Sequence, residues 1–188
     1  MSLRGAIATK QSKKEIACLP AGRLRPFGLA IRRSNRMKIA IGSDHGGYEL
    51  KNKLIEYLRE EKYNVDDLGT HSKESCDYPL IGFDVAKTVG DGRADRGILI
   101  CKTGVGMAII ANKVHGVRAA ACYDKNMARS AREHNNCNVI VFAANYSDFK
   151  QAKDMLKIWL TTEPLGDRHE RRVKQIKEIE SKSKGNKG

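Results

Sequence analysis

The sequence has no long apolar run, few cysteines and no paired metal-ligand motif. No stretch approaches the ~20 apolar residues that a membrane-spanning helix needs, and no apolar core of a secretory signal stands near the N-terminus. The cysteines include no C-x-x-C pair, which argues against a zinc site or a disulfide framework. We therefore expect a cytoplasmic protein with free thiols and no membrane partner. The five cysteines are Cys18, Cys76, Cys101, Cys122 and Cys137.

The positive charge of the chain is concentrated at its two ends. The net charge is +13, with +8 in residues 1–37 and +5 in residues 168–188. Residues 38–167 contain eighteen basic and eighteen acidic side chains, so the body of the protein is neutral. Proteins that bind nucleic acids usually carry a basic face on the folded domain itself. The distribution therefore predicts no specific nucleic-acid partner.

Residues 1–36 differ in composition from the rest of the chain. Arginine, glycine, proline and serine interrupt any hydrophobic periodicity there, and a clean strand pattern begins just after Met37. We expect a basic N-terminal extension outside the fold, with a targeting peptide as the alternative, since the segment is rich in arginine and poor in acids. A single domain is expected over residues 37–181, followed by a disordered basic tail over residues 182–188.

From Met37 onward, short apolar strands alternate with helices. The strands are predicted at 38–42, 64–68, 97–101, 118–122 and 138–142. The helices are predicted at 48–62, 80–89, 107–114, 125–134, 148–160 and 167–180. The apolar face of the first helix consists of Leu50, Leu54, Ile55 and Leu58. This alternation predicts an α/β fold with a doubly wound, Rossmann-like parallel sheet and helices on both faces.

The stretch from Gly97 to Met107 carries the most chemical information. A short apolar strand ends at Cys101, a glycine-rich turn follows, and a helix begins near Met107. In open α/β sheets, ligands bind at the carboxyl ends of strands, where helix N-termini present free N–H groups. The field of such a helix favours the thiolate of a cysteine placed there. Cys101 is therefore a candidate base or nucleophile, although a cysteine in a strand is more often an ordinary core thiol.

Other polar residues near strand and helix ends are candidates for the same site, and each also has an ordinary structural interpretation. Asp44 and His45 follow the first strand and are equally consistent with a helix cap. His134 ends a helix, where an imidazole compensates the helix dipole. Arg168 and Arg172 lie four residues apart on one helical face, which is typical of a solvated surface. None of these residues identifies a function alone.

Six motifs, taken together and in order, resemble the type B ribose-5-phosphate isomerases, within the broader ribose/galactose-phosphate isomerase family. They span residues 38–173 and leave the first 36 residues outside the resemblance. The resemblance implies an aldose–ketose isomerase that interconverts ribose 5-phosphate and ribulose 5-phosphate by proton transfer through an enediolate. The motifs cover residues 41–47, 77–79, 97–107, 111–113, 132–135 and 168–173.

The resemblance also implies which residues form the site. The implied catalytic residues are Cys101, Thr103, His134 and Asp44. The implied substrate-binding residues are His45, Tyr78, Gly104, Val105, Gly106, Asn135, Arg168 and Arg172. No metal and no cofactor are implied, because backbone amides of the loop stabilise the enediolate oxygen. Family members are dimers with shared active sites, so we expect a homodimer, with a tetramer as a further possibility.

Each implied role matches a need of the reaction. Cys101 would move the carbon-bound proton, and Thr103 would orient the base or the reacting oxygens. His134, together with Asp44, would open the furanose ring. The phosphate would be held by three cationic or donor side chains, and two arginines suit a dianion through charge-assisted hydrogen bonds. These phosphate ligands are His45, Arg168 and Arg172, and the residues implied to bind sugar hydroxyls are Asn135 and Tyr78.

Two positions depart from the usual pattern of the family. Lys102 stands where glycine usually follows the cysteine, and Asn145 stands where many members carry a phosphate-binding arginine. These departures leave open an isomerase of allose 6-phosphate or galactose 6-phosphate, or a non-catalytic sugar-phosphate-binding module. The retained Cys101, Thr103 and His134 favour an enzyme, because a binding module needs no base.

Overall fold

The computed structural model describes residues 37–185, and it describes side chains up to residue 182. The predicted N-terminal extension and residues 186–188 of the predicted tail lie outside the described residues. The strands are β1 (Lys38–Ser43), β2 (Asn64–Asp67), β3 (Arg96–Cys101), β4 (Ala119–Ala121) and β5 (Val139–Ala143). The helices are α1 (Tyr48–Glu60), α2 (Tyr78–Gly90), α3 (Val105–Ala111), α4 (Lys125–Glu133), α5 (Phe149–Thr161) and α6 (Asp167–Gly185).

The five strands form one parallel sheet in the order β2-β1-β3-β5-β4. The chain moves from β1 outward to β2 and then crosses back to place β3 on the other side of β1. The strand order therefore reverses between β1 and β3. In sheets of this kind the crevice at such a switch point, outside the carboxyl ends of the strands, is the usual ligand site. The predicted α/β fold is confirmed.

Apolar side chains cover both faces of the sheet. Strand residues alternate in direction, so Ile39 and Ile41 join one core layer while Ala40 joins the other. The first layer contains side chains of α1, α4 and α5, and the second contains side chains of α2 and α3. The predicted apolar face of α1 lies in the first layer, as does the fully buried Trp159. Helices on both faces explain why the central strand β5 is continuously apolar.

Several boundaries differ from those predicted. Helix α3 begins at Val105, two residues early, because Gly104 turns the chain there in a left-handed conformation. Helix α6 continues to Gly185, past the predicted end at Glu180 and into residues 182–185 of the segment predicted to be disordered. No proline or glycine interrupts the helix before Gly185. Of the six helices in the described part of the chain, none is both long and apolar enough to cross a membrane.

Candidate active site

Cys101 ends β3 at the switch point, and its thiol receives a backbone hydrogen bond. The residue is 5% exposed, and its Sγ accepts a hydrogen bond from the N–H of Gly104 at 3.1 Å. Gly104 has φ +78°, a left-handed conformation that favours glycine. This turn brings the amide back toward the sulfur just before α3 begins. The sulfur at this position therefore lies beside a backbone N–H donor and the start of a helix.

The turn after β1 packs directly against the end of β3. The N–H of Asp44 donates to the carbonyl of Ile100 at 3.2 Å, and Asp44 Oδ1 accepts from the N–H of Gly47 at 3.1 Å. A Cβ added to Gly47 would lie 2.7 Å from Ile100 Cγ2, so only glycine permits this approach. The buried residue Asp44 thus lies just past the end of β1, the strand that pairs with the one ending at Cys101. Asp44 therefore caps the turn, as one interpretation of the sequence expected, and it also lies near the Cys101 thiol. The two interpretations of this residue are compatible.

His45 and Lys102 flank this turn. Nδ1 of His45 accepts a hydrogen bond from the backbone N–H of Cys76 at 3.3 Å. The aliphatic part of the Lys102 side chain packs against Gly46. A Cβ added to Gly46 would lie 2.5 Å from Lys102 Cγ. Lys102 is an exposed residue. The departure at position 102 therefore adds a cation at the mouth of the crevice, on the side of Gly46.

Tyr78 and Gly106 form a second close contact beside Cys101. An added Cβ on Gly106 would lie 2.7 Å from Tyr78 Cζ and 3.0 Å from its hydroxyl oxygen. Tyr78 opens α2, and Gly106 lies in the first turn of α3. Glycine at position 106 therefore permits the phenol ring to lie against the loop that carries the thiol.

Thr103 and two tyrosines line a shallow pocket of about 500 Å³ next to this loop. Tyr123 donates its hydroxyl to the carbonyl of Thr103 at 3.0 Å, and its ring meets that of Tyr146 edge to face, with centroids 6.2 Å apart. Thr103 Oγ1 accepts from the N–H of Val105 at 3.4 Å. Two of the three predicted oxyanion donors, Gly104 and Val105, thus have acceptors within the loop itself. We call the following residues the thiol half-site: Asp44, His45, Tyr78, Cys101, Thr103, Gly104, Val105 and Gly106.

The remaining predicted residues form a separate cluster where α4 ends and α6 begins. His134 follows the last residue of α4, and its ring stacks on that of His169 with centroids 4.3 Å apart. Arg168 donates from Nε to His169 Nε2 at 3.2 Å. The N–H of Leu165 donates to the carbonyl of Glu133 at 2.9 Å, which joins the two helix ends. We call the following residues the histidine half-site: His134, Asn135, Arg168, His169 and Arg172.

The histidine half-site is cationic and borders a cavity of about 680 Å³ that His134 and Arg171 help to line. Burial, aided by His134 and the arginines 168 and 172, lowers the pKa of His169 below its ordinary value. His169 Nε2 accepts from Arg168, so the ring is neutral and carries its proton on Nδ1. Among the described residues this Nδ1 has no hydrogen-bond partner. The predicted residues Asn135 and Arg172 are both exposed here.

The two half-sites lie at opposite ends of the strands. The thiol half-site lies at the carboxyl ends, and the histidine half-site lies toward the amino ends. Cys101 ends β3 and pairs with Ala143, the last residue of β5, whereas His134 precedes Val139, the first residue of β5. Val139 pairs with Gly97, which lies at the other end of β3 from Cys101. At a strand rise of about 3.3 Å per residue, Val139 and Cys101 are therefore separated by roughly 13 Å along the strand direction. One described chain therefore brings together the residues within each half-site, but it does not bring Cys101 to His134.

Three residues of the site were missed by the sequence predictions. His169 lies inside the motif that contains both arginines, yet its contact with His134 joins residues 35 positions apart. Tyr123 and Tyr146 follow the carboxyl ends of β4 and β5, and the rule that ligands bind at strand ends would have identified them.

The cysteines of residues 37–185 are free thiols that belong to no cluster of metal ligands. Cys76, Cys101, Cys122 and Cys137 are free thiols, and Cys18 lies outside the described residues. Burial raises the pKa of Cys122 to about 12 and that of Cys137 to about 11, which keeps both protonated. Within residues 37–185 no three His, Cys, Asp or Glu side chains are grouped so that they could hold a metal ion.

Comparison with known proteins connects this geometry to one family. The family model described as Ribose/Galactose Isomerase matches residues 39–176. The ribose-5-phosphate isomerase B of Escherichia coli (strain K12) is 42% identical over 145 residues, which cover 77% of this chain and 97% of that protein.

Solved structures agree with that match. The ribose-5-phosphate isomerase B of Clostridium thermocellum is 49% identical, with a TM-score of 0.77 over 78% of this chain and 99% of the other. The Mycoplasma genitalium ribose-5-phosphate isomerase B, solved with bound ribulose-5-phosphate, is 37% identical, with a TM-score of 0.75 over 77% and 97% of the two chains. On the strength of the matched family model and these relatives, the chain belongs to the ribose/galactose isomerase family.

Proposed function

We propose that this protein interconverts ribose 5-phosphate and ribulose 5-phosphate. The observation that carries the proposal is the hydrogen bond from the Gly104 N–H to Cys101 Sγ, at the carboxyl end of β3 beside the switch point. A sulfur held in this way is a base placed where ligands bind in parallel sheets. Relatives named ribose-5-phosphate isomerase B, one of them with bound ribulose-5-phosphate, support the same pentose phosphate.

The reaction moves one proton between neighbouring carbons of an open-chain sugar. The Cys101 thiolate removes the proton from the carbon next to the aldehyde, and the electron pair passes to the carbonyl oxygen to give an enediolate. The thiol then returns the proton to the former aldehyde carbon. The hydroxyl on the neighbouring carbon passes its proton to the enediolate oxygen, so that the former hydroxyl oxygen becomes the ketone and the former carbonyl oxygen becomes a hydroxyl. The N–H of Gly106 lies in the first turn of α3, where backbone donors are free of helical partners, and it supplies an oxyanion donor.

Ring opening and phosphate binding fall to the other polar side chains. His134 and Asp44 exchange protons with the ring oxygen and the anomeric hydroxyl, and Asn135 and Tyr78 hydrogen-bond sugar hydroxyls. Arg168 and Arg172 lie one helical turn apart and offer guanidinium groups to the phosphate dianion. His45 adds a neutral donor, since its Nδ1 is already an acceptor and its proton therefore lies on Nε2.

We further propose that the working unit is a homodimer with shared active sites. The roles above need Cys101 and His134 on one substrate, yet the parallel sheet holds them at opposite ends of the strands in one chain. A second copy that presents its histidine half-site to the thiol half-site supplies the missing groups. Exposed apolar side chains near the thiol half-site support an interface there. These are Leu80, Phe83, Val105, Ile109, Tyr123 and Tyr146.

A direct assay tests the proposed reaction. The purified protein would be supplied with ribose 5-phosphate or allose 6-phosphate, with and without EDTA, and ketose formation measured by a coupled reaction. We expect turnover of the pentose phosphate, unchanged by EDTA. A clear preference for the hexose phosphate would assign a different substrate to the same site. Absence of turnover on both, with binding of the pentose phosphate retained, would replace the proposed enzyme with a binding module.

A further inference from the structure

A buried ion pair joins α1 to the end of β2. Lys51 is completely buried, and its Nζ lies 2.7 Å from Oδ1 and 2.6 Å from Oδ2 of Asp67. The side chain of Asp67 is 22% exposed. Removing an ammonium group from water is costly, and well-packed apolar residues of similar size are often at least as stabilising as a buried ion pair. Stability alone therefore does not explain why a charged pair occupies this position.

The carboxylate of Asp67 also holds the segment that follows β2. Its Oδ1 accepts a hydrogen bond from the N–H of Gly69 at 3.1 Å. The carbonyl of Gly69 in turn accepts from the N–H of Ser43 at 2.7 Å, and the carbonyl of Ser43 accepts from the N–H of Thr70 at 2.7 Å. Ser43 immediately precedes Asp44. The ion pair is thus connected through two short backbone hydrogen bonds to Ser43, the residue before the one that carries the site carboxyl.

The same segment contacts the thiol half-site a second time, at its other end. Residues 68–77, which we call the β2–α2 loop, end near Cys76, whose N–H donates to Nδ1 of His45 at 3.3 Å. A nitrogen that accepts a hydrogen bond carries no proton, so the loop determines that the neutral imidazole bears its proton on Nε2. The β2–α2 loop therefore holds Ser43, the neighbour of Asp44, and determines which nitrogen of His45 is the donor.

We propose that Lys51 and Asp67 are positioning residues, which anchor the β2–α2 loop so that Gly69 and Cys76 hold the site groups in their working geometry. For its kinetic consequences this proposal rests on the proposed isomerase function. Its structural consequence, the tautomer of His45, does not depend on which substrate the protein uses. Enzymes lose large factors in rate when a reacting group shifts by about 1 Å, so an anchor outside the site can control activity.

A second ion pair provides a matched control. Glu49 and Lys73 also join α1 to the β2–α2 loop, but both side chains are 68% exposed. Exposed pairs are screened by water and salt and contribute little to stability. If any charge pair between these two segments served equally well, loss of the exposed pair would have the same effect as loss of the buried one.

Three variants separate positioning from folding. Asp67→Asn leaves Lys51 buried without its partner, and we expect this variant to lose folded protein. Lys51→Met keeps the length of the side chain and leaves a partly exposed carboxylate, and Lys51→Met/Asp67→Asn removes both charges. We expect the last two to fold, with melting temperatures within about 5 °C of the parent. Glu49→Gln/Lys73→Met is the control.

The tautomer of His45 is the first measurement. Long-range 1H–15N spectra of the imidazoles at pH 8, with the His45 signals assigned from a His45→Gln variant, report which ring nitrogen carries the proton. We expect the Nε2–H form in the parent and in the control, and a mixture of tautomers in Lys51→Met/Asp67→Asn. An unchanged His45 signal in both folded variants, Lys51→Met and the double variant, would overturn the proposal whatever their activity.

The second measurement is kcat/KM with ribose 5-phosphate. We expect a decrease of about tenfold or more in Lys51→Met/Asp67→Asn and a change within about twofold in the control. Parent-like kcat/KM in the folded double variant would also overturn the proposal. If the parent itself fails to turn over the sugar, the proposed function fails, while the His45 spectra still decide whether the ion pair positions the loop.

Discussion

The imidazole rings of His134 and His169 stack with their planes inclined by only 13° and their centroids 4.3 Å apart. The contact joins the end of α4 to the first turn of α6. Because Arg168 donates to His169 Nε2, the stack also connects a guanidinium to the predicted ring-opening histidine. Protonating His169 would remove that acceptor and add a cation beside Arg168 and Arg172. The arrangement therefore requires a neutral His169.

The first prediction is that acid destabilises the protein through His169. Its pKa is lowered in the folded state, so below the ordinary value of 6.5 the unfolded chain binds more protons than the folded one. The stabilisation is fully present above pH 6.5 and decreases as the pH falls through the lowered pKa. Urea unfolding at pH 7.5, 6.5 and 5.5 measures it. We expect His169→Gln to flatten this profile.

His71→Gln is the control for that measurement, because the side chain of His71 is 74% exposed. We expect this variant to keep the parent's dependence on pH. An unchanged slope in His169→Gln would mean that other groups cause the acid sensitivity.

The second prediction concerns the proposed base. Cys101→Ala removes the thiol that ends β3 at the switch point, and general bases contribute about 10²- to 10⁴-fold to rate. We expect kcat for ribose 5-phosphate to fall at least about a hundredfold, while the dissociation constant measured by calorimetry changes little. Cys137→Ala removes another buried thiol at the opposite end of the strands and should keep parent-like kcat. Near-parent turnover by Cys101→Ala would assign the base to another group.

The third prediction tests the shared active site. Cys101→Ala and His134→Ala are each expected to be inactive as pure homodimers. After unfolding and refolding as an equimolar mixture, half of the dimers are mixed, and each mixed dimer contains one site with both native groups. Activity should then return to roughly a quarter of the parent value. Sites contained within a single chain would give no recovery, so continued inactivity of a refolded mixture would contradict the shared site.

The fourth prediction concerns the close contact of Gly106 with Tyr78. Gly106→Ala places a methyl group 2.7 Å from Tyr78 Cζ, so the ring or the loop must move. Such overpacking costs about 1–3 kcal/mol of unfolding free energy, measurable by urea titration. We also expect a higher KM for ribose 5-phosphate, because the displaced phenol no longer reaches the sugar.

A second variant separates the two effects of that methyl group. Gly106→Ala/Tyr78→Ala relieves the clash and should recover stability without recovering KM. Gly166→Ala adds a methyl where no atom lies within 4 Å and serves as the control. Parent-like stability in Gly106→Ala would show that the Tyr78 ring moves freely and that its close contact with Gly106 does not constrain the fold.

The strand and helix pattern could be predicted because it depends on local periodicity. The apolar face of α1 and the strand that ends at Cys101 are visible as residue spacing, and both lie in the core as expected. Boundaries were less certain where a single backbone angle decides them. Gly104, for example, adopts φ +78° and starts α3 earlier than its apolar residues indicate.

Residue types and short spacings predicted the fold class and the family motifs, and they nominated the candidate site residues. Tertiary structure alone decided which of them meet. The parallel direction of all five strands places Cys101 and His134 at opposite ends of the strands, and this separation is the reason for proposing a second chain. The contacts between His134 and His169 and between Lys51 and Asp67 join residues from different elements. No local pattern records such contacts, since they arise only when the sheet brings distant segments together.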